Sequence, residues 1–110
     1  MERFVKGDII VVKFPFSDLS EVKKRPSIVI GVLDRNDYLI CQITGNSFNA
    51  NEEIALNNKD IIIGKLRKNS FIRFTKISTI EHSLIEYKIG KINVQLFNEV
   101  IDKIYNFIKL

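Results

Sequence analysis

The sequence predicts a mainly β protein closed by one C-terminal helix. Three observations carry that expectation. Short apolar runs rich in Ile and Val recur between turn residues from residue 9 to residue 80. One of them, residues 70–75, alternates, with Phe71 and Arg73 on one face and Ile72 and Phe74 on the other. From Asn93 the spacing turns helical, with Phe97, Val100, Ile101, Ile104 and Ile108 on a stripe and Leu96 and Tyr105 beside it.

The elements follow in order. Gly7-Asp8 is a turn signal, and residues 9–14 form a short, largely buried strand that Pro15 stops. Residues 16–25 read as a polar loop, in which Asp18 and Ser20 favour turns. Pro26 restricts Arg25 to extended backbone, so the arginine leads into a second strand at residues 27–33. Residues 34–37 turn, and residues 38–44 make a third strand, completing an antiparallel meander. Residues 45–51 are a loop of Gly, Asn and Ser. Residues 53–56 are a short strand, residues 57–60 a turn, and residues 61–63 a brief strand ending at Gly64. Residues 76–80 continue the alternating strand, and Asn93 is placed to cap the helix. Several short strands with one amphipathic helix fit a small SH3-like barrel with the helix packed on it.

Composition narrows the classes. At 110 residues and 45% hydrophobic content the chain fits a single domain, residues 1–110, with one core and no need of disulfides or metal. Seventeen Lys and Arg against 13 Asp and Glu give a net charge of +4, which permits a nucleic-acid partner without establishing one. Cys41 is the only cysteine, so no intrachain disulfide forms and a reducing, cytoplasmic location is expected. Its neighbours Leu39, Ile40 and Ile43 predict a buried, inert thiol. The N-terminus lacks the apolar core of a signal peptide, and no apolar run approaches a membrane span.

Metal chemistry is disfavoured, because one His and one Cys cannot build a closed zinc site and no acidic cluster resembles a calcium loop. No cofactor is expected. His82, beside Glu81, reads as a surface residue. The cations fall into three groups: Lys23, Lys24 and Arg25; Lys65, Arg67 and Lys68; and Arg73 with Lys76. Cations near aromatic rings suit single-stranded nucleic acid, where phosphates meet charge and bases stack. Phe16 and Phe48 lie in the two polar loops as either stacking surfaces or caps on the core. Lys65, Arg67 and Lys68 fit a solvated edge or a site. Arg25 is different, because Pro26 and the run Ile28-Val29-Ile30 hold its backbone. Preorganised charge of that kind is what transition-state stabilisation needs.

The stretch GDIIVVKFPFSDLSEVKKRPSIVI, residues 7–30, resembles the N-terminal signature of the MazF/PemK (Kid-like) toxins of type II toxin–antitoxin modules. There a Gly-Asp opens the first strand, and a variable loop ends in Arg-Pro before an apolar strand. CQITGN (41–46), GKLRKNSFIRFTKISTI (64–80) and KIGKIN (88–93) resemble later segments of the family, in the same order.

The resemblance implies an SH3-like barrel, a homodimer, and a metal-independent, sequence-specific endoribonuclease. Such enzymes cut single-stranded RNA, typically mRNA, by attack of the ribose 2′-hydroxyl on the adjacent phosphate. A cognate antitoxin, expected to be acidic and partly disordered, would neutralise the toxin, and the pair would bind DNA. Carried over, Arg25 and Thr44 fall on the family's catalytic Arg and Thr, and Arg73 on the arginine of the later strand. Expected RNA contacts are Phe16, Ser17, Asp18, Lys23 and Lys24 in the first loop, and Gly45, Asn46 and Phe48 in the second. Two features depart from the PemK/Kid branch: residues 16–24 hold no His, and Thr75 stands where that branch has Asp. The general base is therefore unassigned, with Asp18 as a base or a turn residue. Two other readings remain: a non-catalytic SH3-like module binding nucleic acid or peptide, and a gyrase-targeting CcdB-like toxin.

Overall fold

The computed structural model describes residues 2–15 and 22–109, with Pro15 through its backbone alone. Seven strands form one curled sheet: β1 (Asp8–Pro15), β2 (Val22–Val32), β3 (Asp37–Thr44), β4 (Glu53–Leu56), β5 (Ile61–Gly64), β6 (Ser70–Glu81) and β7 (Ile85–Ile92). Their order is β4-β6-β3-β2-β1-β7-β5, and each neighbouring pair is antiparallel. One helix, α1 (Val94–Ile108), follows. The mainly β, helix-closed barrel expected from the sequence is the fold observed.

The central strands are apolar on both sides because the sheet has a core on each face. Ile9, Ile28, Cys41, Ile43 and Ile72 join Leu96 and Val100 of α1 in the larger core. Their chain neighbours Ile10, Val29 and Ile40 turn the other way, into a smaller core with Phe4, Tyr38 and Ile80. Asn93 caps α1 as expected, its side-chain oxygen accepting from Leu96 N at 2.8 Å. Ile108, expected on the buried stripe, is exposed at the helix end.

Two expectations about elements change. β2 begins at Val22, so Lys23, Lys24 and Arg25 lie on a strand, not in a loop. The β2–β3 ladder starts only at Ser27, opposite Gln42, so Pro26 sits where β2 has a single neighbour, β1. An edge of this sort tolerates the missing proline N–H. β7 was not expected as a strand. It pairs with both β1 and β5, and its charges hide its pattern: Lys88 and Lys91 turn to Asp8, and Glu86 to Lys24. Gly64 and Gly90 face each other where β5 meets β7, and a Cβ on Gly90 would lie 2.4 Å from Ile63 O. Gly64 also has a φ of +84°, which favours glycine.

His82 is half-buried rather than a plain surface residue. Its ring lies 5.6 Å from Phe4 and 6.1 Å from Tyr38, and Nε2 bonds Glu2 O, so it holds the N-terminal segment to the sheet. Asp8 is 1% exposed. It accepts from Val5 N at 2.9 Å and pairs with Lys88 at 3.1 Å and Lys91 at 3.5 Å, which satisfies its buried charge.

Candidate functional site

Strand geometry assembles the site. β3 runs between β2 and β6. Ser27 of β2 and Arg73 of β6 stand opposite Gln42 from its two sides. Two residues beyond that point are Arg25 on β2 and Thr44 on β3. Period-two alternation returns them to the Gln42 face. Three extra residues, Phe74, Thr75 and Lys76, enter β6 between its pairings with Gln42 and Cys41. This bulge bends the strand and brings Arg73, Lys76 and Ser78 around one hollow.

Two adjoining hollows result, of about 350 and 280 Å³, with Arg25, Gln42, Phe48 and Arg73 lining both. Thr44, Gly45 and Asn46 line the smaller one, Lys76 and Ser78 the larger. No carboxylate lines either among the described residues. Arg25 is exposed and makes no ion pair among the described residues. A guanidinium without a counter-ion keeps its five donors for an anion.

The loop after β3 is shaped by its own polar side chains. Thr44 Oγ1 accepts from Asn46 N at 3.3 Å and donates to Asn46 O at 3.1 Å, which fixes the hydroxyl oxygen. Glu53 accepts from Ser47 Oγ at 2.6 Å, Phe48 N at 2.6 Å and Asn49 N at 3.1 Å. Desolvation works against its charge. The bonds from Ser47, Phe48 and Asn49 and the nearby Arg73 outweigh it and hold the carboxyl below its ordinary value. The clamp sets Phe48 over Arg73, whose Cζ is 4.6 Å from the ring centroid. Phe48 is 69% exposed, so it rests on the arginine and does not cap the core.

The other expected residues are placed as follows. Phe16, Ser17 and Asp18 lie outside the described residues. Lys23 and Lys24 are exposed on β2. Lys24 does not line the Arg25 hollows. It pairs with Glu86 at 2.9 Å, and Lys13 shares that carboxylate at 3.7 Å. The hydrogen bond from Lys24, against some desolvation and with help from Lys13, holds Glu86 below its ordinary value, and the same bond raises Lys24. Thr75, where the related branch has Asp, donates to Glu52 Oε1 at 2.9 Å. Gln42 and Ser78 were missed. Gln42 was within reach, since it sits two residues before Thr44 on one strand, whereas Ser78 needed the bulge. Burial pushes the Cys41 thiol up to about 12, as an inert core thiol requires. No group of three His, Cys, Asp or Glu that could hold a metal ion occurs among the described residues. No described helix is long and apolar enough to cross a membrane.

Comparison with known families matches residues 5–108 to the PemK-like, MazF-like toxins of type II toxin–antitoxin systems. No curated protein matches. Among solved structures, a MazE–MazF complex from Deinococcus radiodurans is similar at TM-score 0.81 and 14% identity, covering 100% of this chain and 99% of that one. Toxin MazF-mt6 of Mycobacterium tuberculosis is similar at TM-score 0.72 and 16% identity, over 94% of this chain and 97% of that one. An endoribonuclease in complex with its cognate antitoxin, from a mycobacterial species, is similar at TM-score 0.75 and 10% identity, over 96% and 95%. At these identities the likeness is one of fold.

Proposed function

We propose a function for this chain from one premise: it belongs to the PemK-like, MazF-like toxins of type II toxin–antitoxin systems. On that premise it is the toxin component, a metal-independent endoribonuclease that cuts single-stranded RNA, typically mRNA, at a chosen sequence in the cytoplasm. The observation that carries the reading is the meeting of Arg25, Thr44 and Arg73, from three strands, around hollows with no carboxylate in their described lining. Similar structures described as endoribonucleases, one with its cognate antitoxin, support it.

The chemistry follows from the groups. The 2′-oxygen bonds to the adjacent phosphorus as its proton leaves, and the bond from phosphorus to the 5′-oxygen breaks. The products are a 2′,3′-cyclic phosphate and a 5′-hydroxyl that has gained a proton. Negative charge grows on the phosphate oxygens in between. The Arg25 guanidinium forks onto two of those oxygens. Thr44 Oγ1, held by Asn46 N–H, turns its hydrogen from Asn46 O to the phosphate. Arg73 under Phe48 supplies the second fixed charge. Arginine stays protonated, so it serves as fixed charge and hydrogen-bond donor to the phosphate and the leaving oxygen, not as base; the 2′ proton passes to solvent water, and solvent returns one to the 5′-oxygen. The 2′-hydroxyl is activated by the fields of Arg25 and Thr44 without a conventional base.

The working assembly is a homodimer restrained by an acidic antitoxin with a disordered tail that complements the +4 charge. A small acidic protein encoded beside the toxin is expected to copurify. The test of the activity is incubation with a long single-stranded RNA in a chelator. Discrete fragments with 5′-hydroxyl ends are expected. RNA that is bound with strong salt dependence yet never cut would move the chain to the binding-module reading.

A further inference from the structure

A third hollow, of about 500 Å³, adjoins the site, and Pro26 and Gly45 line both it and the Thr44 hollow. Its wall includes Lys65, Arg67 and Lys68, from the segment between β5 and β6, and Tyr87 of β7. None of the three cations makes an ion pair among the described residues. Tyr87 is 51% exposed, so about half of an aromatic residue is open to solvent. Lys24 also lines this wall, but Glu86 already holds it.

Gly45 joins the two regions. A Cβ there would lie 2.5 Å from Lys68 Cε and 3.0 Å from Nζ. The Lys68 ammonium therefore lies against the residue that follows Thr44, and the missing side chain at Gly45 leaves it that room. Lys68 thus stands beside Gly45, between the hollow lined by Arg25 and Arg73 and the wall that holds Arg67 and Lys65.

We propose that this third hollow binds the single-stranded RNA flanking the cut, with phosphates on Lys65, Arg67 and Lys68 and a base stacked on Tyr87. The inference rests on the RNA-cleaving reading and adds the path of the substrate beyond the reacting phosphate. A row of unpaired cations beside an open ring is the usual means of holding a single strand. An acidic peptide would use the cations and leave the ring without a purpose. The shared wall at Gly45 and Pro26 gives a strand leaving the Thr44 hollow a direct route.

The test compares two RNA substrates, an oligonucleotide spanning only the cut and one extended by several nucleotides on both sides. Each is cleaved by the parent, by the double variant Arg67→Gln/Lys68→Gln and by Tyr87→Leu. Both variants change exposed side chains. On the extended RNA, KM should rise about tenfold in each variant with kcat unchanged. On the short RNA, both variants should match the parent. The salt slope of binding should flatten by about 1.4 for the double variant, about 0.7 per charge removed, and stay unchanged for Tyr87→Leu. Variants that match the parent on the extended RNA would overturn this subsite while leaving the activity standing. So would a double variant that cleaves normally but loses binding to polyglutamate, which would give the surface to an acidic protein. A parent that cuts neither RNA overturns the activity and the subsite with it.

Discussion

Arg25 and its neighbour Ser27 show how differently two polar residues on one strand are used. Arg25 stands exposed at a hollow with no ion-pair partner among the described residues. Ser27 Oγ is buried and has no hydrogen-bond partner among the described residues. A buried hydroxyl left unsatisfied costs more than the apolar atom that could replace it. Ser27→Ala should therefore raise unfolding stability by about 1 kcal/mol, read as a higher urea midpoint with an unchanged slope. A loss of stability would mean that the hydroxyl has a partner in solution. Cys41 gives a second prediction of the same scale. Its raised thiol and full burial should leave it unreactive to thiol reagents at neutral pH until urea unfolds the chain. Rapid labelling of native protein would contradict the packing. At this scale a family resemblance singled out Arg25, Thr44 and Arg73, and the strands bring all three to the lining of one hollow. The sequence did not tell whether Phe48 would cap the core or lie on Arg73, because that depends on a carboxylate clamp across the loop.

Elements were legible where a single period ran cleanly. The strands at residues 38–44 and 53–56 and the helix after Asn93 were read nearly to their ends. β7 was not, because Glu86, Lys88 and Lys91 interrupt its apolar residues and find their partners only across the sheet. The start of β2 was placed late for a related reason: three cations before a proline look like a loop until β1 is there to pair with them. The loop clamp yields an element-level prediction. Glu53→Gln removes the charge that gathers Ser47, Phe48 and Asn49, so Phe48 should leave Arg73 and RNA cleavage should fall about tenfold with the fold retained. Unchanged cleavage would show that the clamp does not matter to the site. Helix capping yields another: Asn93→Ala should cost about 1 kcal/mol of stability by urea unfolding. No measurable loss would mean that packing of Leu96 and Val100 alone fixes the helix start.

For the whole molecule, charge sets the pH range of stability. Glu53 and Glu86 are both held below their ordinary value of 4.5. Each therefore contributes stability that is present above that value and lost as pH falls through the lower, folded-state one. Lys24 is raised above 10.5, so its contribution is present below that value and lost as pH rises through the higher one. Thermal unfolding should show a plateau between these limits and a decline in acid below about 4.5. Arg25, Arg73 and Lys76 line one hollow, and under the proposed function their summed charge would draw in an anionic substrate before any single bond is made. The central claim is that Arg25 carries the reaction from a preorganised strand position. The direct measurement is the rate of single-stranded RNA cleavage in a chelator by Arg25→Ala beside the parent, with circular dichroism on both. An intact fold with cleavage reduced by about 10²–10³ is the predicted result. A folded Arg25→Ala variant that cuts as fast as the parent would contradict it.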